Sequence, residues 1–109
     1  MNVEVSFRFL SLNKLQAHTL EREVANSSAR YVEDKNCYVG TIPLTEDIFD
    51  PLMIFFERQQ IALSNCDIFL SVLSSKDTNI VDVPSSVNKM LKHINCKLVF
   101  SYTAVSNDL

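Results

Sequence analysis

The chain has 109 residues, 47% of them hydrophobic, enough for one domain that buries a core without disulfides or a metal. Its net charge of −3 argues against a nucleic-acid partner, which favours a basic surface. Gly40 is the single glycine. A phosphate-cradling loop and a nucleophile elbow both need small residues, so neither motif can be present.

The N-terminus lacks the basic start and continuous apolar run of a signal peptide, and the longest apolar stretch, residues 51–56, is far too short to span a membrane. Cys37, Cys66 and Cys96 lie far apart, which favours buried thiols over a metal site. We therefore expect a cytoplasmic protein with no cofactor, no metal site, no membrane and no nucleic-acid partner.

The first predicted elements are a strand and a helix. Apolar and polar residues alternate over residues 3–9, which is typical of a strand with one face toward water. Asn13 can cap a helix over residues 14–25, with Leu15 and Leu20 pointing inward.

A hairpin is predicted next. Short apolar runs at residues 29–32 and 37–42 flank the polar residues 33–36, a connection length typical of a β-hairpin. Pro43 should close the second strand.

The strongest helical pattern follows the hairpin. It begins at Thr45 or at Asp50, where Pro51 suits the first helical turn, and extends to about Ser64. The pattern allows one kinked helix or a short turn that leads into a helix. The apolar run at residues 68–73 then predicts a strand in the middle of the sheet.

Three elements are predicted after that strand. A brief strand is expected at residues 80–83, a helix beginning at residues 84–86 and a closing strand at residues 97–105. Because Phe100 and Tyr102 alternate with polar residues in the closing strand, we expect them in the core.

The element order is β-α-β-β-α-β-α-β, without strict βαβ alternation. We therefore predict an α+β fold, with a mostly antiparallel sheet of about five strands and helices packed on one face. Residues 1–105 form the predicted domain, and residues 106–109 form a frayed tail.

Charge is distributed unevenly along the chain. Residues 33–57 contain six acids and one base, whereas residues 84–105 contain three bases and no acid. Such an acidic segment can steer a charged partner, and a tyrosine beside acids is a common protein contact. The predicted partner-binding residues are Glu33, Asp34, Tyr38, Glu46, Asp47 and Asp50.

The C-terminal half carries a resemblance to a known family, in residues 66–75, 80–84, 87–91 and 96–102. These runs resemble a family of small bacterial α+β domains of unknown function, and the similarity covers residues 52–103. The first half departs from the family pattern, because the glycine-rich turn and the tryptophans often found there are missing.

Members of that family look like cytosolic immunity proteins of contact-dependent growth inhibition and polymorphic toxin systems. The resemblance implies a non-enzymatic protein that binds a cognate secreted toxin domain and covers its active site. The acidic segment suits a toxin with a basic face, such as a nuclease, and we expect a monomer or a weak dimer.

Two other functions remain open. The first is a small enzyme or ligand-binding domain, with a pocket between sheet and helices that uses Cys37, Cys66 or His18. The second is a subunit that self-associates through an exposed strand edge.

Overall fold

The structure, a computed structural model that describes residues 1–106, contains five strands and three α-helices in that part of the chain. In chain order they are β1 (Asn2–Leu12), α1 (Lys14–Glu23), β2 (Ser28–Val32), β3 (Cys37–Pro43), α2 (Phe49–Arg58), β4 (Cys66–Ser74), α3 (Ser85–His93) and β5 (Lys97–Ala104). The predicted α+β fold and element order are confirmed. Of the predicted frayed tail, residues 107–109 lie outside the described residues.

The strands form one mixed sheet in the order β2-β3-β1-β4-β5. Three of its pairings, β2–β3, β3–β1 and β1–β4, are antiparallel, and β4–β5 is parallel. β4 and β5 are parallel because α3 connects them. A helical crossover of this kind returns the chain to the end of the sheet at which β4 began. The predicted mostly antiparallel sheet with helices on one face is therefore confirmed.

The core is built on β1, the middle strand of the sheet. Phe7 and Phe9 are fully buried on the face that carries the helices. The ring of Phe9 lies 5.1 Å from that of Phe7 and 5.1 Å from that of Phe55 on α2, both edge to face. This geometry suits aromatic rings and fastens α2 to the centre of the sheet.

The first helix begins where the sequence predicts. The Asn13 side chain accepts a hydrogen bond from the Gln16 backbone N–H, and the Gln16 side chain accepts one from the Asn13 N–H, a reciprocal capping box. Leu20 is buried as expected, but Leu15 is 74% exposed, so its predicted inward orientation is wrong. Five residues along a helix turn a side chain about 140° away, which points Leu15 to solvent.

The second helix resolves the two alternatives left by the sequence. A 3-10 turn at Glu46–Ile48 leads into α2, which begins at Phe49. The helix ends at Arg58, and Gln60 follows with a φ of 51°, so the predicted end near Ser64 is wrong. A left-handed residue stops helical hydrogen bonding there.

No strand forms at residues 80–83, so the predicted brief strand is wrong. Ile80 is 90% exposed. Because β4 already pairs with β1 on one side and β5 on the other, no free strand edge remains beside β4 for this segment.

The single glycine is required by close packing. Gly40 lies on β3 under α1, and its φ is not in the left-handed region. A Cβ at this position would overlap the Leu20 Cδ2 atom and lie 3.1 Å from Leu12 Cδ1. Because both leucines are buried, neither can move into solvent.

We expect Gly40→Ala to lower the free energy of unfolding by about 1–3 kcal/mol, the usual cost of overpacking a core. In a Leu20→Ala background the same change should cost less than about 0.5 kcal/mol, since the overlapping methyl group is gone. Urea unfolding of the four proteins of this cycle measures both values. Equal costs in both backgrounds would show that the contact with Leu20 is not the cause.

Candidate binding surfaces

The predicted acidic residues lie in two groups at opposite ends of β3. Glu33 and Asp34 are exposed in the turn before the strand, and Glu46, Asp47 and Asp50 are exposed after it. The strand has seven residues. At the rise of an extended chain it separates the groups by about 20 Å. The structure therefore brings the acids together within each group but not across the two.

Tyr38 is half-buried and packs against the hydrophobic core. Its ring lies 5.2 Å from that of Tyr31, edge to face. Tyr31 is the exposed member of the pair, and its hydroxyl donates a 2.6 Å hydrogen bond to Asn36 Oδ1. A partner that approaches the hairpin would thus meet Tyr31 before Tyr38.

The second acidic group borders a cleft between α2 and α3 with a volume of about 290 Å³. The residues that line it are Glu46, Phe49, Asp50, Lys89, Lys92 and His93. Glu46 forms an ion pair with Lys89. The His93 ring lies edge to face against Phe49, at 5.9 Å, and its Nδ1 is 2.8 Å from the Lys89 carbonyl oxygen.

The acidic and basic segments of the sequence therefore meet in this cleft. The exposed Glu46–Lys89 pair contributes about 0–1 kcal/mol, yet it offsets part of the charge available to a partner. Asp47 accepts a hydrogen bond from the Thr45 hydroxyl, and Asp50 is exposed at the start of α2. These two carboxylates are the ones in this group that remain open to a partner.

A surface that the sequence did not predict lies on β5, at the edge of the sheet. Register places Leu98 and Phe100 beside Ile68 and Leu70, on the face that carries the helices. Leu70 is 1% exposed, whereas Phe100 is 54% exposed and Leu98 is 43% exposed. The helices thus cover the sheet as far as β4 and leave β5 open. We call β5, with Leu98 and Phe100, the β5 edge.

The expectation that Phe100 belongs to the core is therefore wrong. Tyr102 is half-buried, and its hydroxyl donates a 2.7 Å hydrogen bond to the Lys76 carbonyl oxygen. Alternation of apolar residues shows that a strand has one apolar face, but it carries no information about whether a helix covers that face.

The opposite face of the sheet contains a partly buried ion pair. Arg8 on β1 donates to both carboxylate oxygens of Asp67 on β4, at 2.8 and 2.6 Å. Asp67 is 3% exposed, and the Arg8 Cζ atom lies 4.3 Å from the centroid of the Phe69 ring. This bidentate contact gives both oxygens of the buried Asp67 carboxylate a hydrogen-bond donor.

Of the three residues that the sequence offered for a pocket, Cys66 lines a cavity, whereas His18 and Cys37 lie elsewhere. His18 is exposed on α1, and the Cys37 sulfur lies on β3, 3.6 Å from the Leu10 carbonyl oxygen. Cys66 instead meets Cys96 at a cavity of about 400 Å³ at one end of the sheet. Among residues 1–106, no three His, Cys, Asp or Glu side chains are grouped as metal ligands.

Comparison with known proteins finds no matching family model, no matching curated protein and no matching solved structure. The resemblance of residues 52–103 to an immunity-like family therefore stays a prediction. No helix within residues 1–106 is both long and apolar enough to cross a membrane.

We expect Arg8→Met to lower the free energy of unfolding by about 3–5 kcal/mol, because the buried Asp67 carboxylate loses its partner. The double variant Arg8→Met/Asp67→Leu should recover most of this loss, since no buried charge is left alone. Urea unfolding measures both. A double variant less stable than Arg8→Met would show that the pair itself supplies the stability.

Proposed function

We propose that this chain is a non-enzymatic binding protein that docks a partner protein along the β5 edge. One observation carries the proposal: Leu98 and Phe100 are exposed on an eight-residue strand whose outer side pairs with nothing within residues 1–106. In strand addition, an extended segment hydrogen-bonds to the free backbone N–H and C=O groups of an edge strand and contacts its exposed apolar side chains.

The occupant we propose is an extended segment of a partner protein, added as a sixth strand. β5 itself carries one charged residue, Lys97, and no acid. A second copy would bring the same positive charge to the contact, whereas a segment that carries acids would complement it. Apolar side chains of the segment would cover Leu98 and Phe100.

In its more specific form, the proposal is that the partner is a secreted bacterial toxin domain and that the chain is its cytoplasmic immunity protein. Support comes from the resemblance of residues 52–103, which include all of β5 except Ala104. Asp47 and Asp50 would then steer a toxin with a basic face, such as a nuclease, toward the complex.

The direct test uses the C-terminal domain of a secreted protein encoded next to this chain. We expect the purified domain to bind this chain in titration calorimetry and to lose its toxic activity in the complex. An absent neighbouring toxin, or a toxin domain that shows no binding, would contradict the immunity function.

We expect Leu98→Ser/Phe100→Ser to weaken the complex by about 30-fold or more, because exposed aromatic anchors carry much of the energy of protein interfaces. The matched control is Leu15→Ser, which removes an exposed leucine from α1 and should leave affinity unchanged. Calorimetry measures affinity, and thermal unfolding checks that each variant is folded.

Unchanged affinity in Leu98→Ser/Phe100→Ser would rule out the β5 edge as the contact. Light scattering of the chain alone supplies a further check. A dimer that this variant separates would show that the occupant is a second copy rather than a different protein.

We expect Asp47→Lys/Asp50→Lys to slow association with the toxin domain by about tenfold at low salt, and by less at high salt, because steering is screened by ions. The matched variant Glu33→Lys/Asp34→Lys makes the same change in net charge at the other end of β3. Stopped-flow association rates across a salt series compare the two. Equal slowing would indicate a general charge effect, and no slowing would exclude steering by Asp47 and Asp50.

A small-molecule function is the alternative, and the cavity beside Cys66 and Cys96 favours it. Polar side chains of Ser64 and Asn95 line this cavity together with Lys97. Turnover of a small compound by the purified chain, abolished by Cys96→Ser, would support an enzyme and overturn the binding function.

A further inference from the structure

The parallel pairing of β4 and β5 places two cysteines side by side. The paired positions begin with Asp67 opposite Lys97, so Cys66 and Cys96 occupy the adjoining positions just before them. Neighbouring strands lie about 4.8 Å apart, within the range of Cα separations that a disulfide spans. Side chains alternate between faces, so both sulfurs lie on the face that carries the helices.

The two sulfurs interact and differ in their protonation. The pKa of Cys66 is raised by its hydrogen bond with the Cys96 sulfur and by burial. The pKa of Cys96 is lowered by the hydrogen bond from Cys66, with added donation from the backbone N–H groups of Cys96 and Ile68. Burial and the negative charge of Asp67 oppose this shift. The Leu63 carbonyl oxygen, 3.4 Å from the Cys66 sulfur, also accepts from this thiol and competes with Cys96 for its single proton.

A small reactant can reach the pair. Cys96 is half-buried, Cys66 is buried, and both line the cavity of about 400 Å³ at this end of the sheet. Lys97 and Asp67 also line the cavity, so charges of both signs lie beside the pair. A partly accessible thiol that favours the thiolate next to a second thiol is the arrangement of peroxide-sensitive cysteines.

We propose that Cys96 and Cys66 form a peroxide-oxidisable dithiol that closes to a disulfide between the first residue of β4 and the residue just before β5. The Cys96 thiolate attacks one oxygen of hydrogen peroxide, so that an S–O bond forms, the O–O bond breaks, and hydroxide leaves and takes up a proton to give water. Sulfur gives two electrons, and the peroxide is reduced.

The Cys66 sulfur then loses its proton and attacks the Cys96 sulfenic acid. The S–S bond forms, the S–O bond breaks, and the departing hydroxide takes up that proton to give a second water. Loss of the negative charge on Cys96 in the first step removes one of the influences that raise the pKa of Cys66, so the second thiol becomes easier to deprotonate. A small-molecule thiol can reduce the disulfide back to the two cysteine thiols by thiol–disulfide exchange.

Cys37 supplies an internal control, because its sulfur lies on β3 against the Leu10 carbonyl oxygen and outside the cavity. The proposed oxidation does not depend on the proposed binding function, since it requires only Cys66, Cys96 and a hydroperoxide. Closure would fasten the start of β5 to β4.

The test treats the reduced, folded chain with hydrogen peroxide and measures free thiols and disulfide-linked peptides. We expect free thiols to fall from the three of the sequence to one, with Cys66 joined to Cys96 in a peptide map. Dithiothreitol should restore all three. A map that shows Cys37 in the disulfide, or only covalent dimers between chains, would overturn the proposal.

Variants separate the two roles. Cys66→Ser should stop at a Cys96 sulfenic acid that dimedone traps, Cys96→Ser should form no internal disulfide, and Cys37→Ser should form it as the unchanged chain does. At pH 7, iodoacetamide should alkylate Cys96 about tenfold faster than Cys37, because the thiolate is the nucleophile. Equal alkylation rates, or dimedone labelling of Cys66 in place of Cys96, would contradict the assigned roles.

Discussion

The edge-to-face contacts of Phe9 with Phe7 and Phe55 join the centre of the sheet to α2, and the remaining packing depends on this junction. Because β1 is the middle strand, side chains gathered around Phe9 draw the helices over the strands nearest to it. Leu20, Met90 and their neighbours complete the same buried cluster. The helix layer therefore ends before the last strand, and Leu98 and Phe100 of β5 stay open on that face.

The parallel pairing of β4 with β5 has two consequences. It places β5 at an edge with exposed Leu98 and Phe100, which underlies the proposed binding function. It also sets Cys66 next to Cys96, which underlies the proposed dithiol. Both features stem from one crossover connection, although each can be tested without the other.

Charge has a smaller role than its distribution along the chain suggests. The acidic segment is divided between the two ends of β3, and Glu46 is engaged by Lys89 across the α2–α3 cleft. Exposed carboxylates such as Asp47 and Asp50 can speed encounter with a basic partner, but apolar burial supplies more affinity. The proposed complex therefore rests on the β5 edge and uses the acids for steering.

Local patterns determined most of the fold. Alternation identified β1 and β5, and apolar runs identified β2, β3 and β4. Asn13 marked the start of α1, and the polar turn before Cys37 marked the hairpin, because these features depend on neighbours a few residues away. Tertiary structure alone decided that Phe100 is exposed, that Cys66 meets Cys96 and that Gly40 lies against Leu20. Each of these depends on which elements lie side by side, and packing between distant segments sets that arrangement, which the period of a sequence does not encode.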